Sequence, residues 1–411
     1  MLKHETQTDL SNFSFSAYQR FSISLAMKTI RFGLIGCGLM GREFASAAAR
    51  WCHLLEATAR PQIVAACSAH NTSLRWFQEN VPSLTQATLD YRELLANPEV
   101  DAVYVAVPHH LHREIYCAAI EAGKHLMGEK PFGMDLDANR AILAAIRRHP
   151  EVFVRCSSEF PFFPGIQRLC NLLEQNAFGQ IIEANTGLLH SSDLDPNKPI
   201  NWKRMIEFNG EYGVLGDLGM HALHVPLRAG WRPSNLRAVL SKIVKQRPDG
   251  RGNLVPCTTW DNGLLLMETL DPANGEPFPW TVKVQRIAPG HRNTWYTEVL
   301  GTRASARWSS ANPRLLEVMH YTPGGEQKWE QIQTGYEPTF KAMTGAIFEF
   351  GFSDCMLQMW AAFLHEFVHG KPLKRFAGCV TPEETALSHR LFTAALESQR
   401  QGATVALEDK C

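Results

Sequence analysis

The residues best equipped for chemistry fall in a few short stretches. Gly36-Cys37-Gly38-Leu39-Met40-Gly41 carries glycines at the spacing of a dinucleotide cradle. Gly36 allows a tight turn, Gly38 lets a pyrophosphate approach the backbone, and Gly41 lets a helix pack close to its strand. Gly216-Asp217-Leu218-Gly219-Met220-His221-Ala222-Leu223-His224 sets an aspartate and a histidine four residues apart, on one face if the stretch is helical. Gly128-Glu129-Lys130-Pro131 adds a lysine. Hydride leaves a carbinol carbon only as its hydroxyl loses a proton, so such a site needs a base near neutral pH. Histidine supplies that base unaided. A buried carboxylate beside it would fix its tautomer, and a lysine would stabilise the developing alkoxide. The plainer reading is that Asp217 caps a helix and His221 packs in a core.

Strands and helices must position these groups. Ile30–Ile35 is a short apolar run of β-forming residues, the glycine motif follows at once, and residues 42–50 are rich in helix formers. Strand, GxGxxG and helix in that order is a far stronger signal than the glycines alone. The helix start, at Leu39 and Met40, would offer free N–H groups to phosphates. The alternation continues with strands at 63–67, 102–107, 125–128 and 152–156, and helices at 72–79, 112–122 and 136–148. Strands alternating with helices imply parallel βαβ units with the ligand at the strands' carboxyl ends. An acid ending the second strand would hold the ribose hydroxyls of NAD, but Ser68 stands there. With His70 or Arg75 near, Ser68 could accept the additional phosphate of NADP, so NAD and NADP both remain open. Glu56 precedes the strand and more naturally caps or faces a helix.

At 411 residues the chain is long enough for two domains. Its 41 basic and 41 acidic residues balance, so no global field draws it to nucleic acid or to a membrane surface. No apolar run reaches the roughly 20 residues of a membrane span. Ten scattered cysteines without CxxC pairs read as reduced thiols of a cytoplasmic protein. Residues 1–26 lack a cationic start followed by an apolar core, which makes a poor secretory signal. They read as an extension ahead of Met27 or an arm packing on a neighbouring subunit.

The Gly-Glu-Lys-Pro motif, the Gly216–His224 motif, and Pro108-His109-His110-Leu111-His112 after a Rossmann strand occur in this order. Together they resemble the glucose-fructose oxidoreductase / inositol dehydrogenase / rhizopine-catabolism (Gfo/Idh/MocA) family, over nearly the whole chain from Met27. The resemblance implies an α/β Rossmann domain plus a C-terminal α+β domain with a large, mostly antiparallel open sheet. That sheet commonly mediates assembly, which implies a homodimer or homotetramer. Its segments here are residues 27–156, residues 157–380, and a C-terminal helix and tail at 381–411. The resemblance also implies that Lys130 lies near the nicotinamide and the reacting hydroxyl, and that His221, with Asp217, transfers the proton. Pro108, His109, His112 and Glu129 would lie along the cofactor, with Glu129 alternatively orienting its loop. Two positions depart from the family pattern: His109 replaces a frequent asparagine, and His224 stands where an acid is common. Ribose and substrate contacts are therefore altered.

Beyond Pro150 the strands lengthen and aromatics multiply, with strands read at 236–245, 263–269, 280–286, 296–300 and 304–308 and a helix at 382–400. A pyranose is held by flat apolar faces and fixed donors. Asn201-Trp202-Lys203-Arg204 offers both, and Lys203 with Arg204 would clamp an anionic substrate. Arg155, Glu159, His190 and His224 are further substrate candidates. His365-Glu366-Phe367-Val368-His369 spells a zinc motif, but Gly370 and Pro372 end its helix at once, so no metal is expected. The expected activity is NAD(P)-dependent oxidation or reduction at a secondary alcohol of a sugar or polyol. A redox-neutral glycosidase using transient oxidation is a second reading, and a non-catalytic nucleotide sensor a third. Intact Lys130, Asp217 and His221 argue against the sensor.

Overall fold

The computed structural model describes residues 27–407, so the arm expected at 1–26 lies outside the described residues. The first half alternates as its hydrophobic runs require. It runs β1 (Lys28–Ile35), α1 (Leu39–Ala49), β2 (Ala59–Cys67), α2 (Asn71–Asn80), β3 (Gln86–Thr88) and α3 (Tyr91–Leu95). Then come β4 (Ala102–Val105), α4 (His112–Glu121), β5 (His125–Gly128), α5 (Leu136–Arg148) and β6 (Val154–Cys156). The six strands are parallel in the order β3-β2-β1-β4-β5-β6. All four residues of β4 are buried, because helices cover both faces of a parallel sheet. The order reverses between β1 and β4, which opens a crevice at their carboxyl ends. The short β3 and α3 escaped the sequence reading because three strand residues carry no periodic signal.

The second half opens with α6 (Pro164–Glu174), β7 (Ile181–Leu189), α7 (Ile206–Asn209) and α8 (Val214–Ala229). A run of strands follows: β8 (Arg232–Ser241), β9 (Gln246–Pro248), β10 (Leu254–Pro256), β11 (Asn262–Leu270) and β12 (Pro277–Gln285). It continues with β13 (Thr294–Gly301), β14 (Ala304–Ser309), β15 (Leu315–His320) and β16 (Glu330–Gln333), then α9 (Phe352–His369), α10 (Pro382–Gln401) and β17 (Val405–Ala406). Nine strands form one sheet in the order β16-β15-β14-β13-β7-β12-β11-β8-β17, antiparallel except where β7 meets β12. β9 and β10 pair separately. One face packs on α8, which is buried at every position but Arg228. The other face is open, and β11 alternates buried with exposed residues, leaving Leu264, Leu266 and Leu270 in solvent.

The two halves share a core. α9 returns to the Rossmann sheet, where Trp360 stacks on Phe44 with ring centroids 3.8 Å apart and meets Tyr104 edge-on. α10 lies against α8, and a Cβ at Gly219 would come within 2.5 Å of the Phe392 ring, so only glycine permits that approach. A Thr381–Glu384 capping box starts α10, and the Glu384 carboxylate also accepts from Arg228 Nη2 at 2.6 Å. Among the described residues no helix is long and apolar enough to cross a membrane.

Candidate active site

The glycine motif builds an anion cradle where β1 ends. Gly36 has φ +106°, and a Cβ there would lie 2.2 Å from the Ala106 carbonyl oxygen. At Gly41 a Cβ would lie 2.6 Å from the Gly36 carbonyl oxygen. Gly38 has nothing within 4 Å on its Cβ side, so the space beside the start of α1 is clear. That helix has no side-chain cap and no acid in its first turn. Leu39, 73% exposed, and half-buried Met40 leave the helix end open to a phosphate. The residues present therefore fit a dinucleotide. At the end of β2, Ser68 Oγ accepts from the His70 N–H at 3.4 Å, and exposed His70 is the N-cap of α2. Arg75 is exposed on α2, and the Arg42 guanidinium lies 5.0 Å over the neighbouring Trp76 ring. Glu56 is away from this crevice, paired with Lys341 at 2.6 Å.

The candidate reaction centre forms where two motifs touch. Pro131, joined to Lys130 by a cis peptide, packs on the start of α8, where a Cβ at Gly216 would lie 3.5 Å from its ring. His389 of α10 bonds the Pro131 carbonyl at 2.6 Å. This contact carries Lys130 Nζ to Asp217, where it donates to the carbonyl oxygen at 2.7 Å and to Oδ1 at 3.1 Å. Lys203 Nζ donates to the same Oδ1 at 2.8 Å, and Arg286 Nη1 meets Oδ2. One fully buried carboxylate thus holds three cations. Burial, joined by the charge of Arg286, lowers the Lys130 ammonium below its ordinary range. Lys203 falls further, through burial and then the charges of Lys130 and Arg286. Arg286 is pushed down to about 10 by burial and Arg204, so it stays charged at neutral pH.

A second buried set lies behind the first. Asp193 accepts from Arg286 Nε at 2.8 Å and faces Arg204 Nε at 3.3 Å, while Arg204 Nη1 donates to Asp261 at 2.6 Å. Burial would raise the Asp193 carboxyl, but the two guanidiniums outweigh it and hold it well below the usual range.

His221 sits one turn beyond Asp217 on α8. Its Nδ1 lies 3.3 Å from Ser158 Oγ and 3.8 Å from Glu159 Oε2, and its ring meets Phe160 edge-on at 5.2 Å. Nε2 has no protein partner among the described residues. Burial, then the charges of Lys130, His224 and Lys203, keep the imidazole neutral well below its usual pKa. Glu159 is pushed up to about 7 by burial and the nearby Glu129 carboxylate.

Residues 30–156 match the family model described as the GFO_IDH_MocA oxidoreductase family, NAD-binding Rossmann fold. That match spans the Rossmann half of the chain. It is 28% identical over 329 residues to levoglucosan dehydrogenase of Pseudarthrobacter phenanthrenivorans, covering 75% of this chain and 81% of that protein. An uncharacterized oxidoreductase of Synechocystis is 36% identical over 231 residues, which is 56% of this chain and 59% of the relative. The solved structure of levoglucosan dehydrogenase in complex with NADH superposes with a TM-score of 0.80 at 23% identity, covering 93% of this chain and all of that one.

Residues 30–156 thus form an NAD-binding Rossmann domain of the Gfo/Idh/MocA type, and the residues anticipated from sequence divide into three groups. Lys130, Asp217, His221, Lys203 and Glu159 converge on one site. Trp202 borders it, half-buried, with its ring 5.5 Å from Lys203 Nζ and edge-on to His109 at 4.8 Å. His190 is buried beside it and pushed down to about 3 by burial and Arg286.

The remainder are placed elsewhere. Arg204, expected to clamp substrate, is fully buried between Asp193 and Asp261. Arg155, another substrate candidate, turns to α9, where Nε donates to Glu366 at 2.7 Å. That pairing also engages the glutamate of the zinc-like motif, and among the described residues no three His, Cys, Asp or Glu side chains form a metal cluster. His224 is buried toward Arg228, out of reach of solvent. His112, expected along the cofactor, is buried instead, stacked on Tyr116 and bonded to the Val107 carbonyl at 3.0 Å. His109 is buried beneath Trp202 and Pro108 starts its turn. Glu129 Oε1 accepts from Tyr104 and Ser157, each at 2.7 Å, which braces the lysine loop. The expected Asp217–His221 pair is also corrected. Cations hold Asp217, and the carboxylate nearest His221 is Glu159.

Sequence reading missed Arg286, Asp193 and Ser158. Arg286 sits one residue past β12, a strand that also carries Lys283 and Gln285, so its charge gave no usable signal. Asp193 lies in a loop and carried none.

Proposed function

We propose that the protein oxidises a secondary alcohol of a sugar, sugar derivative or polyol with NAD or NADP, or runs the reverse reduction. The observation that carries this reading is the convergence of Lys130 Nζ and His221, one helical turn apart through Asp217, at the carboxyl end of β5. A nicotinamide, when bound, accepts hydride from the carbinol carbon. His221, neutral and with Nε2 free, takes the hydroxyl proton. Lys130, held by Asp217, donates to the oxygen as negative charge grows on it. Asp217 keeps three cations in place, so the donors need no rearrangement during the reaction.

A neutral polyhydroxy substrate fits best, because the guanidinium of Arg204 is already paired and Lys203 is drawn to Asp217. The half-buried Trp202 face suits ring C–H groups. The levoglucosan dehydrogenase relative, which acts on an anhydrosugar by its name, supports that class. With Ser68 instead of a carboxylate after β2, the site accepts the NADP phosphate as well as the NAD ribose. Exposed Leu264, Leu266 and Leu270 on the open sheet support a homodimer or homotetramer.

The deciding experiment follows nicotinamide reduction with NAD and with NADP against sugars, polyols and aryl glycosides, with phenol release read in parallel. Reduction with one sugar is expected. Phenol release without net reduction would replace the dehydrogenase by a redox-neutral glycosidase. Nucleotide binding with neither signal would overturn the substrate class.

A further inference from the structure

Asp217 is the carboxylate that spacing on α8 assigns to His221, but its oxygens face Lys130, Lys203 and Arg286. This leaves the imidazole in need of another proton partner. Phe160 closes one side of the ring, and the His221 carbonyl is already engaged by Trp295 Nε1 at 2.8 Å. On the Nδ1 side stand Ser158 Oγ at 3.3 Å and Glu159 Oε2 at 3.8 Å, both on the segment following β6. Ser158 and Glu159 are buried, and the Cys355 thiol of α9 donates to the Glu159 carbonyl at 2.6 Å, pinning that backbone.

We infer that Glu159 is a positioning residue acting through His221, holding Nδ1 protonated and receiving that proton during alcohol oxidation. The inference rests on the dehydrogenase reading above. When the substrate hydroxyl delivers its proton to Nε2, the Nδ1 proton passes to the Glu159 carboxylate. His221 ends neutral as the other tautomer, Glu159 ends as the neutral acid, and the hydride leaves to the nicotinamide. Reduction reverses each transfer. Ser158, with Oγ 3.3 Å from the same Nδ1, steadies the ring.

The charged and titratable groups facing Glu159 come from several elements: Glu129 and Lys130 after β5, Tyr104 on β4, Glu43 on α1, Cys355 on α9 and His221 on α8. Burial and Glu129 favour its protonated form, while Lys130 opposes them. The carboxyl therefore changes charge near neutrality, pushed up to about 7. The sign follows directly. Below that pH Glu159 already holds a proton and cannot receive one, so oxidation rises through neutrality. Reduction, which needs the protonated form, falls over the same range.

The test begins without substrate. In the wild-type enzyme the His221 imidazole, assigned by difference against His221→Asn, is followed by NMR against pH. A shift with its midpoint near neutrality is expected, reporting the pair and not either residue alone. Glu159→Gln should abolish it, and Glu159→Asp should restore part of it. In turnover, Glu159→Gln should lower kcat by about 100-fold and erase the neutral limb, leaving nucleotide affinity within a few-fold. A wild-type imidazole without a near-neutral midpoint, or a limb that survives in Glu159→Gln, overturns the inference even if kcat drops. Because the NMR titration needs no substrate, its outcome stands apart from whether the sugar panel gives turnover.

Discussion

Asp217 and Glu159 are two buried carboxylates on opposite flanks of the same reaction centre, and their surroundings drive them apart. Asp217 is fully enclosed by two ammonium groups and a guanidinium. Glu159 has another carboxylate, an aromatic ring and a thiol-pinned backbone around it, and is pushed up to about 7. Low dielectric strengthens whichever interaction is already present. Beside cations it fixes a charge, and beside an anion and apolar groups it lets a proton stay. The first carboxylate therefore holds donors in place, and the second can exchange a proton with its histidine.

The contrast can be broken at several points. His221→Ala and Lys130→Ala remove the two groups that the proposed mechanism sets against the reacting hydroxyl. Steady-state kinetics should show turnover lower by roughly 100-fold or more, with nucleotide affinity by titration unchanged within a few-fold. Unchanged turnover in both variants would remove the proposed site. Asp217→Asn should act mainly on stability, because it leaves buried Arg286 and the half-buried Lys130 and Lys203 without their anion. Urea unfolding should show a loss of about 3–5 kcal/mol, whereas an isolated functional role would cost little stability.

Smaller effects sharpen the comparison at its edges. Trp202→Ala should raise KM by about 10-fold and leave kcat within a few-fold, if its face only binds the ground state. Ser68→Asp should weaken NADP by about 10-fold and leave NAD almost unchanged, since a carboxylate repels the additional phosphate. Equal loss of both cofactors would show that Ser68 supports the loop and does not select.

The Rossmann half was readable because each of its signals is local. Strand, glycine loop and helix are contiguous in residues 28–49; Gly41 is demanded by a contact within that unit, and Gly36 by its positive φ and by Ala106 just past β4, the neighbouring strand in the sheet. The second half was read less completely. β7, at the middle of the nine-stranded sheet, was not anticipated, because its sequence IIEANTGLL lacks clean alternation and Gly187 interrupts it. That glycine admits the Lys283 carbonyl oxygen, 2.5 Å from where a Cβ would be, a requirement set by a strand nearly a hundred residues away. The end strands β15 and β16 were missed for a related reason, being short and half-exposed.

By itself the sequence determined the Rossmann half and its glycine cradle, and it singled out Lys130, Asp217 and His221 as candidates for the chemistry. Each depends on residue type and short spacing, which a one-dimensional string records. Tertiary structure alone decided the partners. It turned Arg155 to Glu366 and Arg204 to Asp193 and Asp261, brought Arg286 to Asp217, and set Glu159 beside His221. A charged side chain taken from water must find its counterpart wherever the fold brings one within reach. Those counterparts lie between 57 and 211 residues apart for Arg204–Asp261 and Arg155–Glu366.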